Sequence, residues 1–299
     1  MSKRAITSRT RVLGVIGDPI EHSLSPLMHN YVLERLALDF SYVAFPVKQD
    51  YGLNVGLAFR TLGLAGLNVT IPYKEMVVDQ MDKLTEEARV VGAVNTIGTN
   101  TRGELVGHNT DVAGFLGALE IHGGTGELAG RGAVVLGAGG AARAVLYALG
   151  LSGAGPIYLA NRTHSRAEEL AGWFSYIFPD TPVELAPRMD VEALNKAFDD
   201  AVITVNVTPL GMAPKVDDSP LPEGARLKPG SMVYDTVYNP QHTLLLKQAQ
   251  KAGCNAIGGL DMLIIQGMAS LAWWLKKPIP WKEMMDTIRK RLLEELKKE

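Results

Sequence analysis

Short apolar runs rich in β-branched residues alternate along this chain with segments whose apolar positions recur at helical spacing. This alternation is typical of α/β proteins, because strands of a parallel sheet are buried on both faces and read as continuous apolar runs. In the first part of the chain it predicts strands at 12–17, 40–47 and 66–72, and a hairpin-like pair at 93–98 and 104–111.

Helices are expected between these strands. Ser25 followed by Pro26 is typical of a helix start, with serine as N-cap and proline in the first turn. Three helical stretches are predicted in this part of the chain: 25–38, 51–62, and about 74–91 with a break near Thr85.

A glycine-rich segment at 121–132 marks a plausible boundary, and the strand–helix pattern restarts after it. The pattern restarts with AVVLGAGG (133–140), and further strands are predicted near 156–162, 201–209, 231–238 and 255–259. Helices are predicted up to residue 149, at 165–175, at 243–252 and over the last forty residues except KKPIP (276–280). We expect a two-domain α/β protein whose C-terminal helices pack back on the first domain. The predicted divisions are 1–111, 112–259 and 260–299.

Composition narrows the class of protein. The 299 residues are 46% hydrophobic and 21% charged with a net charge of −2, which offers no argument for a nucleic-acid or anionic-membrane partner. No apolar run approaches the roughly 20 residues of a membrane span, and the basic N-terminus lacks an apolar signal core. A single cysteine, Cys254, and six histidines without metal-binding spacing favour a cytoplasmic protein that holds no metal.

The stretch VVLGAGGAARAVLYAL (134–149) predicts a strand, a glycine turn and a helix in immediate succession. Gly137, Gly139 and Ala142 fit the G-x-G-x-x-(G/A) pattern of dinucleotide-binding folds. The first glycine permits the tight turn, the second lets the backbone approach a pyrophosphate, and the small third residue lets helix and strand pack closely. The free N–H groups at the helix start then favour phosphate.

The end of the next strand indicates which dinucleotide is bound. An NAD site usually has a carboxylate there to accept bonds from the ribose hydroxyls. This chain has Asn161, Arg162 and Thr163 instead, with Arg166 shortly after. Because arginine pairs with a phosphate through forked, charge-assisted hydrogen bonds, we expect NADP, although Arg162 could also be an ordinary surface arginine.

Polar residues outside this region admit structural readings when they are taken one at a time. Ser25 can cap a helix, Thr70 lies within a predicted strand, Asn95 can be a structural amide, and Asn109 and Asp111 can be N-caps of a helix beginning near residue 112.

Lys74 in NVTIPYKE (68–75) can be a solvated lysine that opens a helix, or a group that moves protons. A neighbouring carboxylate keeps an amine charged, whereas partial desolvation favours its neutral form, so a lysine between these effects can transfer a proton in either direction. Asp111 could supply that carboxylate, but sequence spacing alone does not show that the two residues meet.

Several motifs taken together resemble the shikimate dehydrogenase family. The resemblance is collinear from about Gly14 to Gln266 and rests on GDPIEHSLSP, NVTIPYKE, GAVNT, GHNTD, GAGGA, NRT, NVTPLGM, YDTVYNP and GGLDMLIIQG. It implies reversible NADPH-dependent reduction of 3-dehydroshikimate to shikimate without a metal. Val207 departs from the family, many of whose members carry a small residue there, and the first ten residues lie outside the motifs.

The resemblance also implies roles for individual residues. Lys74 matches the proposed acid/base, and Asp111 the carboxylate that holds it. Residues implied to bind substrate are Ser23, Ser25, Thr70, Asn95, Tyr238 and Gln266. Residues implied to bind NADP are Gly137, Ala138, Gly139, Gly140, Ala141, Asn161, Arg162, Thr163, Arg166, Thr208, Thr236, Gly259 and Glu86.

Two alternatives stay open at this stage. One is a quinate/shikimate dehydrogenase with relaxed substrate or NAD use, against which Ser23, Ser25 and Arg162 argue. The other is a non-catalytic regulatory relative, which would be expected to lack Lys74 or Asp111. Both a monomer and a homodimer are compatible with the sequence.

Overall fold

The computed structural model describes residues 5–48 and 54–298. By their contacts these residues divide into two compact units. The first unit runs to Asp111 and resumes from Ile264 to Lys298, and the second runs from Val112 to Leu263. The chain therefore passes between the units at the start of one helix and within another, and not in the glycine-rich segment 121–132.

The first unit is built on a mixed six-stranded sheet of order β2-β1-β3-β5-β6-β4. Its elements up to the first passage are β1 (Arg11–Gly17), α1 (Ser25–Arg35), β2 (Phe40–Pro46), α2 (Val55–Thr61), β3 (Gly66–Val69), β4 (Lys83–Leu84), α3 (Glu86–Val91), β5 (Thr96–Thr99) and β6 (Leu105–His108). The predicted hairpin is confirmed, because β5 pairs antiparallel with β6. Buried apolar side chains on β3, β5 and the segments around them form one hydrophobic core cluster of this unit.

The prediction of a helix beginning at about residue 74 is wrong. Only a 3₁₀ turn at Val78–Gln80 and the short strand β4 precede α3. The physical reason is that the carbonyl of Lys74 accepts its bond from the Val94 N–H at 2.8 Å, so it is not available for an α-helical bond. The break at Thr85 is real, since its hydroxyl caps α3 by accepting from the Ala88 N–H at 3.3 Å.

Other helix ends also differ from prediction. The helix α1 stops at Arg35 and not near 38, and Ala37 has a left-handed φ of 52°. The helix α2 begins at Val55 with Asn54 as its N-cap. The part of the predicted helix at 51–53 lies outside the described residues.

The second unit contains a six-stranded sheet of order β12-β11-β10-β7-β8-β9. Every neighbouring pair is parallel. Its elements are α4 (Asp111–Ile121, starting at the last residue of the first unit), β7 (Gly132–Leu136), α5 (Gly140–Leu151), β8 (Ile157–Ala160), α6 (His164–Ile177), β9 (Val183–Leu185), α7 (Val191–Asp200), β10 (Ala201–Asn206), β11 (Met232–Asp235), α8 (Leu244–Lys251) and β12 (Asn255–Ile257). This strand order is that of the dinucleotide-binding Rossmann fold, with the reversal between β7 and β10.

The sequence reading missed β9 and α7. The strand β9 is short and only half-buried, at the edge of the sheet, so its apolar pattern is weak. The helix α7 did carry a signal, since Asp190 caps it and Leu194, Ala197 and Phe198 form one buried face.

Two helices end the chain, α9 (Leu260–Leu275) and α10 (Trp281–Leu296). From Ile264 onward they belong to the first unit. There α10 packs on α1, with the Arg291 guanidinium 4.4 Å from the centre of the Tyr31 ring. The expectation that the C-terminal helices return to the first domain is confirmed.

Candidate active site

The loop after β3 brings Lys74 to Asp111. The Nζ of Lys74 lies 2.6 Å from Oδ2 of Asp111, and the side chains are 16% and 5% exposed. The bond from the Val94 N–H to the Lys74 carbonyl fixes the backbone of this loop to the segment just before β5. Two oppositely charged groups 37 residues apart in sequence therefore form a largely desolvated ion pair.

Asn95 fixes the second oxygen of the same carboxylate. Its Nδ2 donates to Oδ1 of Asp111 at 2.9 Å, and its own Oδ1 accepts from the Thr110 N–H at 2.9 Å. The N-cap interpretation of Asp111 is wrong, because Asp111 is the first residue of α4 and its carboxylate is engaged by Lys74 and Asn95. Asn109 makes the turn instead, accepting from the Asp111 N–H at 2.9 Å.

A buried polar network lies behind Asn95. The Nδ2 of Asn68 is 3.0 Å from the Asn95 carbonyl and 3.0 Å from Oγ of Ser270. The Ser270 hydroxyl is in turn 2.8 Å from that of Thr96 and 3.1 Å from that of Thr110. The sequence reading missed these four residues, Asn68, Thr96, Thr110 and Ser270. The available signal was a polar residue inside an apolar element: Asn68 in the fully buried strand β3, and Ser270 in the apolar helix α9.

Gln266, one helical turn before Ser270, reaches the same cluster, with its Oε1 3.4 Å from Nδ2 of Asn95.

Thr70 lies just after β3 and not within it, and its N–H donates to the Ile16 carbonyl at 3.0 Å. The N-cap of α1 is Leu24, so the cap predicted for Ser25 is wrong. Ser25 is the first helical residue, and its N–H donates to Oγ of Ser23 at 3.3 Å.

Of two adjacent glutamates on α3, the sequence reading selected the one that faces solvent. Glu86 is exposed at the first position of the helix. Glu87 is half-buried, and burial followed by the negative charge of Asp111 raises the pKa of its carboxyl. The Oε2 of Glu87 is 3.9 Å from Nδ1 of His108. Burial lowers the pKa of the His108 imidazole to about 4. His108 is therefore neutral at pH 7, with its Nδ1 3.0 Å from the Thr85 hydroxyl.

In the second unit the glycine turn joins β7 to α5 as the motif predicts. Gly137 has a φ of 122°, and a methyl group there would lie 2.9 Å from Cγ2 of Thr208, so only glycine fits. At Gly139, the N-cap of α5, an added methyl group would meet no described atom within 4 Å, and no described side chain caps the helix. Ala142 is fully buried against the sheet. The turn therefore offers open space and free N–H groups where a pyrophosphate binds in this fold.

The polar segment 161–166 follows directly after the end of β8. Asn161 donates from Nδ2 to the Thr163 carbonyl at 2.9 Å, which shapes the turn into α6. Arg162, Thr163 and Arg166 are exposed. An exposed arginine at this strand end, with no carboxylate in residues 161–163, fits a 2′-phosphate better than two ribose hydroxyls.

Three further predicted cofactor residues follow neighbouring strands of the same sheet. Thr208 comes after β10, and its N–H and hydroxyl both donate to Oδ1 of Asn206, at 3.0 and 2.7 Å. Thr236 comes after β11 and Gly259 after β12, and a methyl group at Gly259 would lie 2.2 Å from the Thr236 carbonyl oxygen. Tyr238, predicted to contact substrate, lies in the loop after β11 in this second unit.

Within residues 5–48 and 54–298, no three His, Cys, Asp or Glu side chains are grouped so as to hold a metal ion. No helix in the same ranges is long and apolar enough to cross a membrane.

Known proteins share this sequence and fold over nearly the whole chain. The model of the shikimate dehydrogenase substrate binding domain matches residues 15–97. The shikimate dehydrogenase (NADP(+)) of Moorella thermoacetica is 41% identical over 288 residues, which cover 96% of this chain and 95% of that protein. The crystal structure of shikimate 5-dehydrogenase from Listeria monocytogenes in complex with shikimate and NAD is 36% identical, with a TM-score of 0.85 and coverage of 97% and 98%. The Thermus thermophilus enzyme in complex with NADP(H) and shikimate is 32% identical, with a TM-score of 0.77 and coverage of 95% and 100%.

This similarity and the Rossmann-type second unit place the chain among the two-domain α/β oxidoreductases that use NADP. More narrowly, the chain belongs to the shikimate dehydrogenase family.

Proposed function

We propose that Lys74 transfers the proton in the NADPH-dependent interconversion of 3-dehydroshikimate and shikimate, and that Asp111 orients the Lys74 side chain. The observation that supports these roles is the desolvated pair itself, with 2.6 Å between Nζ and Oδ2. Lys74 also falls within the residues matched by the substrate-binding family model.

Reducing a ketone to an alcohol requires a hydride on carbon and a proton on oxygen. NADPH, when bound, supplies the hydride. The ammonium of Lys74 can donate its proton to the carbonyl oxygen, and in the reverse direction the amine takes it back from the hydroxyl. Asp111 keeps the lysine in place throughout, because its other oxygen is held by Nδ2 of Asn95 at 2.9 Å.

The substrate is a small polyhydroxylated acid, so its recognition needs converging hydrogen-bond donors and acceptors. We assign its carboxylate to the hydroxyls of Ser23 and Ser25. Thr70, Asn95, Tyr238 and Gln266 are assigned to further contacts with the carboxylate or the ring hydroxyls, and Asp111 to a ring hydroxyl. Sites that hydrogen-bond each hydroxyl reject analogues lacking one far better than apolar pockets do. Residues 1–111 and 260–299 are then the substrate-binding and catalytic part, and 112–259 the NADP-binding part.

The residues of the second unit suit NADP(H). The diphosphate is assigned to the turn from Gly137 to Ala141, where no described side chain caps the helix start. The 2′-phosphate is assigned to Asn161, Arg162, Thr163 and Arg166. Thr208, Thr236 and Gly259 are assigned to the nicotinamide end, and Glu86 to a further cofactor contact. One free cysteine, Cys254, suits the reducing cytoplasm, where we place the enzyme.

The test is Lys74→Ala in the full chain, with Lys83→Ala as the matched control. Lys83 also lies near a carboxylate, with 4.0 Å between its Nζ and Oε1 of Glu104, but its side chain is 58% exposed. We expect kcat to fall about 10²- to 10⁴-fold in Lys74→Ala only, as for loss of a general acid–base group. The Kd of NADP+ should stay unchanged in fluorescence titrations. Turnover like that of the wild type in Lys74→Ala would refute the assignment.

Substrate and cofactor choice is tested by steady-state kinetics with shikimate and quinate, each with NADP+ and NAD+. We expect the highest kcat/KM for shikimate with NADP+. A higher value for quinate or for NAD+ would overturn that part of the proposal.

A further inference from the structure

The last residue of β11, Asp235, is a carboxylate with no exposed surface. The hydrogen bonds it accepts come from neutral groups. Its Oδ1 accepts from Nδ2 of Asn206 at 2.9 Å and from the Val237 N–H at 3.0 Å, and its Oδ2 accepts from the Thr243 hydroxyl at 2.6 Å. A fully buried charge is costly, so this arrangement calls for a physical reason beyond packing.

The three donors belong to three different segments. Asn206 is the last residue of β10, Val237 lies in the loop after β11, and Thr243 is the N-cap of α8. One carboxylate therefore joins the carboxyl ends of two neighbouring parallel strands to the start of a helix. In parallel α/β sheets this edge is where ligands bind.

The bond to Asn206 has a directional consequence. Because Asp235 accepts from the amide nitrogen, the amide oxygen of Asn206 must face the opposite way, where it accepts from the Thr208 N–H and hydroxyl at 3.0 and 2.7 Å. A flipped amide would place its oxygen against the carboxylate and its nitrogen against the Thr208 N–H. The negative charge of Asp235 thus selects one of two amide orientations, and only that one holds Thr208.

The same carboxylate holds the neighbouring loop. The Val237 N–H is bound by Asp235, and the preceding Thr236 N–H donates to the Asn206 carbonyl at 3.0 Å. Gly259 in turn packs directly on the Thr236 carbonyl and donates its N–H to the Val237 carbonyl at 3.2 Å. Loops after β10, β11 and β12 are in this way ordered around one buried charge.

We propose that Asp235 is a positioning residue for NADP(H): it holds the loop of Thr208 through the Asn206 amide and the loop of Thr236 through the Val237 N–H, against the nicotinamide end of the cofactor. This inference rests on the assignment of Thr208, Thr236 and Gly259 to that end. Burial raises the pKa of Asp235, while the bonds from Thr243, Val237 and Asn206 act in the opposite direction. Because each partner donates, the ionised carboxylate is the form that completes the network.

The experiment compares Asp235→Ala with Asp200→Ala. Asp200 accepts from the Tyr158 hydroxyl at 2.8 Å in the same unit, but it precedes the amino end of β10, whereas the loops of Thr208, Thr236 and Gly259 follow the carboxyl ends of their strands. For Asp235→Ala we expect the KM for NADP+ to rise about tenfold, because the loops assigned to the nicotinamide end lose the bonds that order them. The KM for shikimate should stay within about twofold. The control variant should keep both values.

Asn206→Ala and the double variant Asp235→Ala/Asn206→Ala separate positioning from a general loss of stability. If Asp235 acts partly through Asn206, the effects of the two single substitutions on the KM for NADP+ should combine to less than the additive value in the double variant. An unchanged KM for NADP+ in Asp235→Ala, equal rises for both substrates, or additive effects in the double variant would each overturn the inference. If Asp235→Ala does not fold, Thr243→Val removes one of the three bonds and should raise the same KM by a smaller factor. Retained turnover in Lys74→Ala would count against the proposed proton transfer and would leave this result unaffected.

Discussion

The two units assemble their polar groups from very different distances along the chain. In the first unit, the Lys74–Asp111 pair spans 37 positions, and the bond between Asn68 and Ser270 spans 202. In the second unit, the glycine turn occupies the consecutive residues 137–142, and the polar strand end occupies 161–166.

The difference follows from what each group of residues has to do. A turn between a parallel strand and its helix presents backbone N–H groups to a phosphate, and local geometry alone produces it. A desolvated ion pair is stable only if hydrogen bonds satisfy both partners, and here the partners come from other strands. The antiparallel pairing of β3 with β5 sets Asn68 opposite Thr96, and the pairing of β5 with β6 sets Thr96 opposite His108. The first unit should therefore tolerate substitution of its buried polar groups less well than the second tolerates substitution at its strand ends.

The largest effect that would test this comparison is expected for Asp111→Ala. Removing this carboxylate leaves the ammonium of Lys74 buried without its partner, so we expect the free energy of unfolding to fall by about 3–5 kcal/mol, together with loss of activity. Urea denaturation measures the loss of stability, and steady-state kinetics measure the loss of kcat. Asp286→Ala is the control, because its pair with Arg289 is on the surface with Asp286 96% exposed, and it should cost at most about 1 kcal/mol. Equal losses in the two variants would contradict the buried-pair argument.

A smaller effect, confined to binding, is expected for Arg162→Ala in the second unit. Loss of a charge-assisted bond to the 2′-phosphate should weaken the binding of NADP+ by about 1.5–3 kcal/mol, which raises its Kd roughly 10- to 150-fold. The Kd of NAD+ should change little, and so should stability. Isothermal titration with both cofactors decides the matter. Arg131→Ala, an exposed arginine that precedes β7 in the same unit, should change neither Kd. Equal losses for NADP+ and NAD+ would remove the reason for assigning Arg162 to the phosphate.

His29 allows a test of the first unit by pH. It is fully buried, stacks on Tyr42 at 4.2 Å, and neither ring nitrogen has a hydrogen-bond partner among the described residues, so burial lowers its pKa to about 3. The unfolded chain takes up a proton below about pH 6.5 and the folded chain does not, so this residue makes stability fall as pH decreases from about 6.5 towards about 3.

Between pH 7 and pH 5 the contribution of His29 is about 2 kcal/mol. His29→Phe keeps a flat ring that can stack on Tyr42 and removes the two ring nitrogens. Between pH 7 and pH 5 its free energy of unfolding should fall by about 2 kcal/mol less than that of the wild type, as measured by urea denaturation at both pH values. His164→Phe, in which the replaced side chain is 61% exposed, should behave like the wild type. An unchanged acid sensitivity in His29→Phe would refute the prediction.

The smallest expected effect is that of Ser270→Ala. Its hydroxyl lies within 3.0 Å of Nδ2 of Asn68 and 2.8 Å of the Thr96 hydroxyl, so its loss should cost about 1 kcal/mol of stability. A few-fold decrease in kcat should accompany this, because the same network positions Asn95 and through it Asp111. Ser152→Ala is the control: it removes a partly buried bond to the Ala148 carbonyl in the second unit and should leave kcat unchanged. A kcat like that of the wild type in Ser270→Ala would show that Asn95 is held without this serine.

Sequence reasoning performed best where structure is local. It placed the strand, turn and helix around Gly137, the hairpin of β5 and β6, and the break at Thr85, because each depends on residues close in sequence. It failed from Lys74 onward, where a helix was expected, because a backbone bond from Val94, twenty residues away, takes the carbonyl that a helix would need. It also did not single out the half-buried Glu87, since helix position alone does not show which of two adjacent side chains is covered.

By itself the sequence determined the α/β class, the dinucleotide turn, NADP as the cofactor, and the family, because these depend on local pattern and on motifs that keep their order. Only the tertiary structure decided that Lys74 meets Asp111, that Asn95 holds the second carboxylate oxygen, and that Ser270 and Asn68 support Asn95. Only the fold also showed that Asp235 orders three loops around one charge. The physical reason is that a buried charge is stable only with partners on every side, and those partners come from segments that only strand pairing and helix packing bring together.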